Sequence, residues 1–296
     1  MSKKRILCVV GTRPEAIKMA PVILELQRRA DSFETTVMAT AQHREMLDDV
    51  MKVFGIRPDI DLDIMTPNQR LADITCRVLS EMSRYVREKK PDAVLAQGDT
   101  TTVMAASMAC FFEQARFGHV EAGLRIGDLT APFPEEFNRR VAALATHYHF
   151  APTELGRKNL LKEGIHDASI HVTGNTVVDA LQHILKHTTE PARPVPSDSP
   201  YVLMTCHRRE SFGEKVRGVF ECVCAFAQDH PDLHIWYPVH PNPNVKRPAA
   251  EILGGVKNVI LTNPIDYITF LHARRHRRFN GKRSRTSPTR AWPSRS

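Results

Sequence analysis

Arg5-Ile6-Leu7-Cys8-Val9-Val10-Gly11-Thr12-Arg13-Pro14-Glu15-Ala16-Ile17-Lys18 decides the fold. Its first six residues are a short apolar run with β-branched side chains, which reads as a strand. Gly11 ends the run, and Pro14 suits the first turn of a helix that opens directly after it. A strand that passes through a glycine into a helix is the start of a βαβ unit and of a mostly parallel sheet.

The same alternation continues outward from this stretch. Strand-like runs recur at residues 35–40, 93–97, 118–121, 148–151 and 170–173. Between them, Leu71, Ile74, Val78, Leu79, Met82 and Val86 are spaced to cover one face of a helix. The segment 187–200 holds Pro191, Pro194, Pro196 and Pro200, breaks both periods, and reads as a linker. A second α/β series follows, with strands expected at 201–205, 234–239 and 259–262 and helices near 214–228 and 245–253. The expected organisation is a Rossmann-like domain over residues 1–186, the linker 187–200, and a partial Rossmann-like domain over 201–271. Three strands would leave the core of that second domain half covered.

At 296 residues, 42% hydrophobic and 25% charged, the composition is that of a globular protein of two domains. No apolar run approaches the roughly 20 residues that span a bilayer, and the charged start lacks a signal peptide, so a cytoplasmic protein with no membrane contact is expected. The six cysteines form no Cys-x-x-Cys pair and sit mostly in apolar stretches, which predicts neither disulfides nor zinc. The net charge of +8 is unevenly placed. Residues 272–296 carry nine Lys or Arg and no acid, and the rest of the chain holds 32 basic residues against 33 acidic ones. This tail has no hydrophobic period and is expected to be disordered. It reads either as a basic arm for an anionic partner such as nucleic acid, or as an out-of-frame translation, the reading favoured because the break falls inside a domain.

Several strand ends carry chemistry. Free N–H groups and the helix dipole at the start of the first helix favour an anion, and Arg13 and Lys18 supply cations for a diphosphate. The Gly-x-Gly-x-x-Gly fingerprint is absent, so no nicotinamide cofactor is expected, and no other cofactor is implied. Gln97-Gly98-Asp99-Thr100-Thr101-Thr102 puts Asp99 at the carboxyl edge of the sheet, where open α/β folds bind ligands. His119-Val120-Glu121-Ala122-Gly123-Leu124-Arg125 places Glu121 at the end of an apolar strand, and Glu135 and Glu136 start the next helix before Arg139. Acids in a first helical turn usually complement the dipole. Asp99, Glu121 and Glu135 taken together suggest converging carboxylates with separated pKa values. In the second series, His207 can titrate near neutral pH, Arg208 or Arg209 can hold phosphate, and His240 ends another strand. Thr173-Gly174-Asn175-Thr176 reads as a strand-to-helix turn capped by a threonine.

With these segments in order, residues 5–271 resemble the non-hydrolysing UDP-N-acetylglucosamine 2-epimerases. The run 11–21, Thr40-Ala41-Gln42-His43-Arg44-Glu45-Met46, 98–102, 118–125, 134–139, Gly174-Asn175-Thr176 and 207–213 all match. The resemblance implies two Rossmann-like domains as in the GT-B glycosyltransferases, the second incomplete here, with the sugar nucleotide in the cleft between them. It also implies a homodimer. It assigns Asp99, Glu121, Glu135 and His207 to catalysis, Arg13, Lys18, Arg139 and His240 to substrate binding, and Gln42, His43 and Arg209 to a second, activating substrate molecule. Cys206 departs from the glycine usual at its position. The family's Asp-Ser-Gly-Gly-x-x-Glu-Glu segment, which grips UDP, is expected after Phe270 and is missing, although residues 271–288 read one base onward permit a similar string. Weak UDP binding and slow turnover are therefore expected. The competing expectations are a GT-B glycosyltransferase, against which the three carboxylates argue, and a non-catalytic protein with a nucleic-acid-binding tail.

Overall fold

The computed structural model describes residues 2–40, 44–64, 66, 69–196, 199–206 and 213–275. They divide into two compact units, Met1–His187 and Thr188–Ser296. The first unit alternates strand and helix throughout. Its elements are β1 (Lys4–Val10), α1 (Arg13–Arg28), β2 (Phe33–Ala39), α2 (Arg44–Val53), β3 (Ile60–Asp61), α3 (Leu71–Lys89), β4 (Ala93–Gln97) and α4 (Thr101–Phe112). β5 (Phe117–Val120), α5 (Glu135–Ala145), β6 (Tyr148–Ala151), α6 (Glu154–Lys162), β7 (Ile170–Val172) and α7 (Val177–His187) complete it.

All seven strands are parallel and run in the order β3-β2-β1-β4-β5-β6-β7. Helices cover both faces of such a sheet, and this explains why the strands are near-continuous apolar runs: every residue of β4 and β5 is buried. The apolar stripe on α3 behaves as its spacing predicts, with Ile74, Val78, Met82 and Val86 packed on Leu7, Val9, Val94 and Phe117. Leu71, counted into that stripe from the sequence, lies 41% exposed at the first turn. The two-residue β3 is too short to register as a period.

The order reverses between β1 and β4, so the connections leaving their carboxyl ends diverge and open a crevice. Gly123 is the tightly constrained glycine near this edge. Its φ is +85°, and an added Cβ would lie 2.3 Å from the Gly156 carbonyl oxygen at the start of α6. Gly123→Ala should therefore combine left-handed strain with overpacking, at about 2–5 kcal/mol. The expected result is a urea midpoint lowered at unchanged slope; a midpoint equal to that of the parent would contradict the close approach.

In the second unit, β8 (Tyr201–Leu203), α8 (Glu214–Asp229), β9 (His234–Pro238), α9 (Pro243–Leu253), β10 (Val259–Thr262) and α10 (Tyr267–Arg275) form a parallel sheet of order β10-β9-β8. That order is the first half of a doubly wound sheet. Phe220, Tyr237, Val245, Ala249 and Leu253 fill one side of it. On the other side, Trp236 packs with Val195 and Ala273. The basic segment expected from residue 272 is corrected in its first four residues, because α10 continues to Arg275. His272 and Ala273 are buried there. His272 Nε2 pairs with Thr188 Oγ1 at 2.9 Å, and the Tyr201 hydroxyl donates to the Ala273 carbonyl at 2.5 Å. Composition hides this, since the anchoring groups are a ring nitrogen and a backbone carbonyl. Residues 276–296 lie outside the described residues. No described helix is long and apolar enough to cross a membrane.

Candidate active site

A cavity of about 500 Å³ opens at the carboxyl ends of β1, β4 and β5. The β1–α1 connection and first helical turns contribute Thr12, Pro14, Glu15 and Lys18, and the β4–α4 connection contributes Gln97, Gly98, Asp99 and Thr100. Glu121, Leu124 and Arg139 close the wall.

Asp99 is held from both sides. Gly98, at φ +93°, turns the chain off β4, and its carbonyl accepts a hydrogen bond from His119 Nε2 at 2.7 Å. The Asp99 carbonyl accepts from Asn138 Nδ2 at 2.9 Å, and Arg139 Nη1 donates to Asp99 Oδ2 at 2.6 Å. Burial pushes the Asp99 pKa above its ordinary value; Arg139 opposes the shift, and the charges of Glu135 and Glu121 reinforce it. The acid is thereby moved toward the range in which it can exchange a proton near neutral pH. A carbonyl can only accept, so the buried His119 ring carries its proton on Nε2, and burial holds its pKa at about 4.

Glu121 sits at φ +66°, a backbone region that non-glycine residues occupy at a cost of about 1–3 kcal/mol. Its carboxylate is surrounded by donors. Lys18 Nζ reaches Oε2 at 2.5 Å, Gln97 Nε2 donates to the same oxygen, and Asn175 Nδ2 donates to Oε1 at 3.0 Å. Three donors converge on this side chain at the cavity wall. The reading of residues 173–176 as a plain turn is incomplete. Asn175 Oδ1 accepts from the N–H of Val177, the first residue of α7, at 3.0 Å, which leaves its amide nitrogen for Glu121.

Glu135 opens α5, half-buried, and its Oε2 is buried without a hydrogen-bond partner among the described residues. Its charge acts on Asp99. Glu136 is different in kind: fully buried, it accepts from Arg139 Nη2 at 2.8 Å and from the Ile126 and Gly127 N–H groups at 3.2 Å each. Burial alone would raise its pKa, but the Arg139 and backbone hydrogen bonds outweigh it and hold the group below its usual value. The two neighbouring acids therefore divide, Glu135 acting by its charge on Asp99 and Glu136 bonded to the loop before α5.

Glu15 is the site residue that sequence reading passed over. It is 3% exposed, and its Oε2 accepts from the Gly11 N–H at 2.6 Å and the Thr12 N–H at 2.8 Å. Its Oε1 accepts from Thr100 Oγ1 at 2.5 Å. The available signal was the Thr12-x-x-Glu15 spacing of a capping box, which the structure forms. Two of the amides expected to stay open for an anion at the start of α1 are thus taken.

Arg13 is half-buried at the first position of α1, between cavity-lining Thr12 and Pro14. His240 is exposed in the second unit, where its Nδ1 accepts from the Asn242 N–H at 3.2 Å. His207, Arg209, Gln42 and His43 lie outside the described residues. Among the described residues no group of three or more His, Cys, Asp or Glu is placed to hold a metal ion.

A doubly wound sheet with Asp99 and Glu121 lining one crevice at its switch point, and Glu135 acting electrostatically on the first of them, is the arrangement of an α/β enzyme. The family model described as UDP-N-acetylglucosamine 2-epimerase matches residues 25–279. A UDP-N-acetylglucosamine 2-epimerase of Escherichia coli K12 is 49% identical over 282 residues, covering 92% of this chain and 75% of that one. The crystal structure of UDP-GlcNAc 2-epimerase from Neisseria meningitidis bound to UDP-GlcNAc is 46% identical with a TM-score of 0.80, covering 90% of this chain and 74% of that one. The UDP-GlcNAc 2-epimerase of Methanocaldococcus jannaschii, in complex with UDP-GlcNAc and UDP, is 31% identical with a TM-score of 0.67, covering 90% and 75%. This chain belongs to the UDP-N-acetylglucosamine 2-epimerase family.

Proposed function

We propose that the chain interconverts UDP-N-acetylglucosamine and UDP-N-acetylmannosamine by eliminating UDP and adding it back. The C2 hydrogen of the pyranose is not acidic, because no carbonyl adjoins it within the ring, and with no cofactor expected, elimination is the available route. A carboxylate takes the C2 proton, the C2–H electrons form the C1–C2 double bond, and the C1–O bond breaks toward UDP, giving 2-acetamidoglucal. UDP oxygen then attacks C1 while C2 receives a proton on its other face. Two acid/base groups and cations for the leaving diphosphate are required.

The observation that carries this reading is the pairing of Asp99 and Glu121 on one cavity wall, with Asp99 raised in pKa by burial. We assign proton transfer to Asp99, Glu121 and Glu135 and substrate contact to Arg13 and Lys18, with Arg139 setting the state of Asp99. The family resemblance adds His207 to catalysis, His240 to substrate binding, and Gln42, His43 and Arg209 to an activating substrate molecule. It also implies a homodimer in the cytoplasm. Phe111 and Phe112 on α4 and Leu144 on neighbouring α5 are exposed apolar side chains that a second copy would cover.

Incubation with UDP-N-acetylglucosamine in deuterium oxide tests the reaction. Deuterium should enter C2 of the recovered nucleotide sugars, whereas glycosyl transfer leaves that hydrogen alone. Transfer of the sugar to an acceptor with C2 fully protiated would refute the epimerase reading.

A further inference from the structure

The start of α1 has the features that ordinarily bind phosphate: N–H groups without helical partners and the positive end of a helix dipole. Here the acceptor is built in. Glu15 reaches back from the first turn and takes the Gly11 and Thr12 N–H groups on Oε2, at 2.6 and 2.8 Å. A Cβ added at Gly11 would stand only 3.1 Å from that oxygen and 2.7 Å from Thr40 Oγ1, so the pocket around it is already filled. The other carboxylate oxygen crosses to Thr100 Oγ1, the residue that caps α4. One buried side chain thereby ties the connections after β1 and β4 together at the point where the strand order reverses.

The remaining charges point the same way. Glu15, Asp99 and Glu121 line the cavity against Lys18 and Arg139. Both cations are engaged, Lys18 with Glu121 and Arg139 with Asp99 and Glu136. A free phosphate seated on the amides at the start of α1 would find the Gly11 and Thr12 N–H groups already taken by Glu15. An uncharged pyranose would meet hydroxyl, amide and carboxylate groups.

We propose that Glu15 is a positioning and specificity-determining residue, a buried carboxyl group that occupies the Gly11 and Thr12 amides ahead of any free phosphate and fixes the crevice for the sugar end of the substrate. The inference rests on the proposed reaction, in which the crevice receives the pyranose. Its consequence is a gain of function on removal: Glu15→Ala should convert the start of α1 into a phosphate site.

The test is amide NMR of the nitrogen-15-labelled full chain titrated with inorganic phosphate. In the parent protein the Gly11 and Thr12 amides should hold their shifts up to about 20 mM phosphate, a concentration that would populate any site of millimolar affinity. In Glu15→Ala they should move and saturate with at least about tenfold tighter binding. A folded Glu15→Ala protein that behaves as the parent overturns the proposal. Should that variant not fold, the parent titration decides it, since movement of these two amides in the parent protein is equally fatal. Titration with UDP-N-acetylglucosamine separates the two readings. Failure of that ligand to move any amide near Asp99 and Glu121 counts against the proposed reaction, whatever the phosphate arm shows.

Discussion

Asp99→Asn should lower turnover of UDP-N-acetylglucosamine by about 10²–10⁴-fold, the range for loss of a positioned acid/base group. Asparagine preserves the shape and can still face Arg139, so the Michaelis constant should change little by comparison. The pH profile gives a sharper test. An ionised Asp99 acting as base sets the acid limb of kcat/KM, and its raised pKa moves that limb above the value of an ordinary Asp. Burial is the largest cause, and Glu135 adds like-charge repulsion. Glu135→Gln removes that repulsion, so the limb should move to lower pH even though the variant also loses a proposed proton carrier. Turnover of Asp99→Asn within a few-fold of the parent would remove this residue from the chemistry. An acid limb left in place by Glu135→Gln would show that the two carboxylates do not share a site.

Most of the fold was readable because burial on both faces writes itself into composition. β1, β4 and β5 are almost wholly apolar, and the α3 stripe repeats at helical spacing. Strand-end carboxylates were readable for the complementary reason, since Glu121 terminates an apolar strand and needs partners. The partners themselves were not readable. Asn175, Gln97 and Lys18 are distant from Glu121 in the chain and meet it only because parallel strands place their carboxyl ends on one edge. Glu15 was hidden differently. Its spacing from Thr12 announces a local helix cap, but its second bond, to Thr100 85 residues away, depends on the strand order. Glu136 was indistinguishable from Glu135 in sequence, and the roughly 100° rotation between successive helical residues separates their roles.

That separation makes Arg139 the residue whose loss should cost the most stability. Its side chain is 8% exposed, and its guanidinium joins Asp99 to Glu136, whose side chain is 0% exposed. Arg139→Met leaves Glu136 buried with the Ile126 and Gly127 N–H groups and the longer Arg140 contact at 3.5 Å. Breaking a buried pair from one side costs about 3–5 kcal/mol. The pH dependence identifies the group responsible. In the parent the Glu136 pKa is held below its unfolded value, so its contribution is full above that unfolded value and is lost as pH falls through the folded one. Without Arg139, burial prevails and the native pKa rises above the unfolded value. The variant then binds more protons folded than unfolded, and acidification from about pH 7.5 toward about pH 5 should shrink its deficit. Urea midpoints of both proteins across that interval measure the effect. A deficit that stays constant would mean that the lost stability resides in packing of the arginine stem rather than in the stranded carboxylate. Glu136→Gln placed on the Arg139→Met background separates the same alternatives at neutral pH, because removing the charge should restore part of what the arginine supplied.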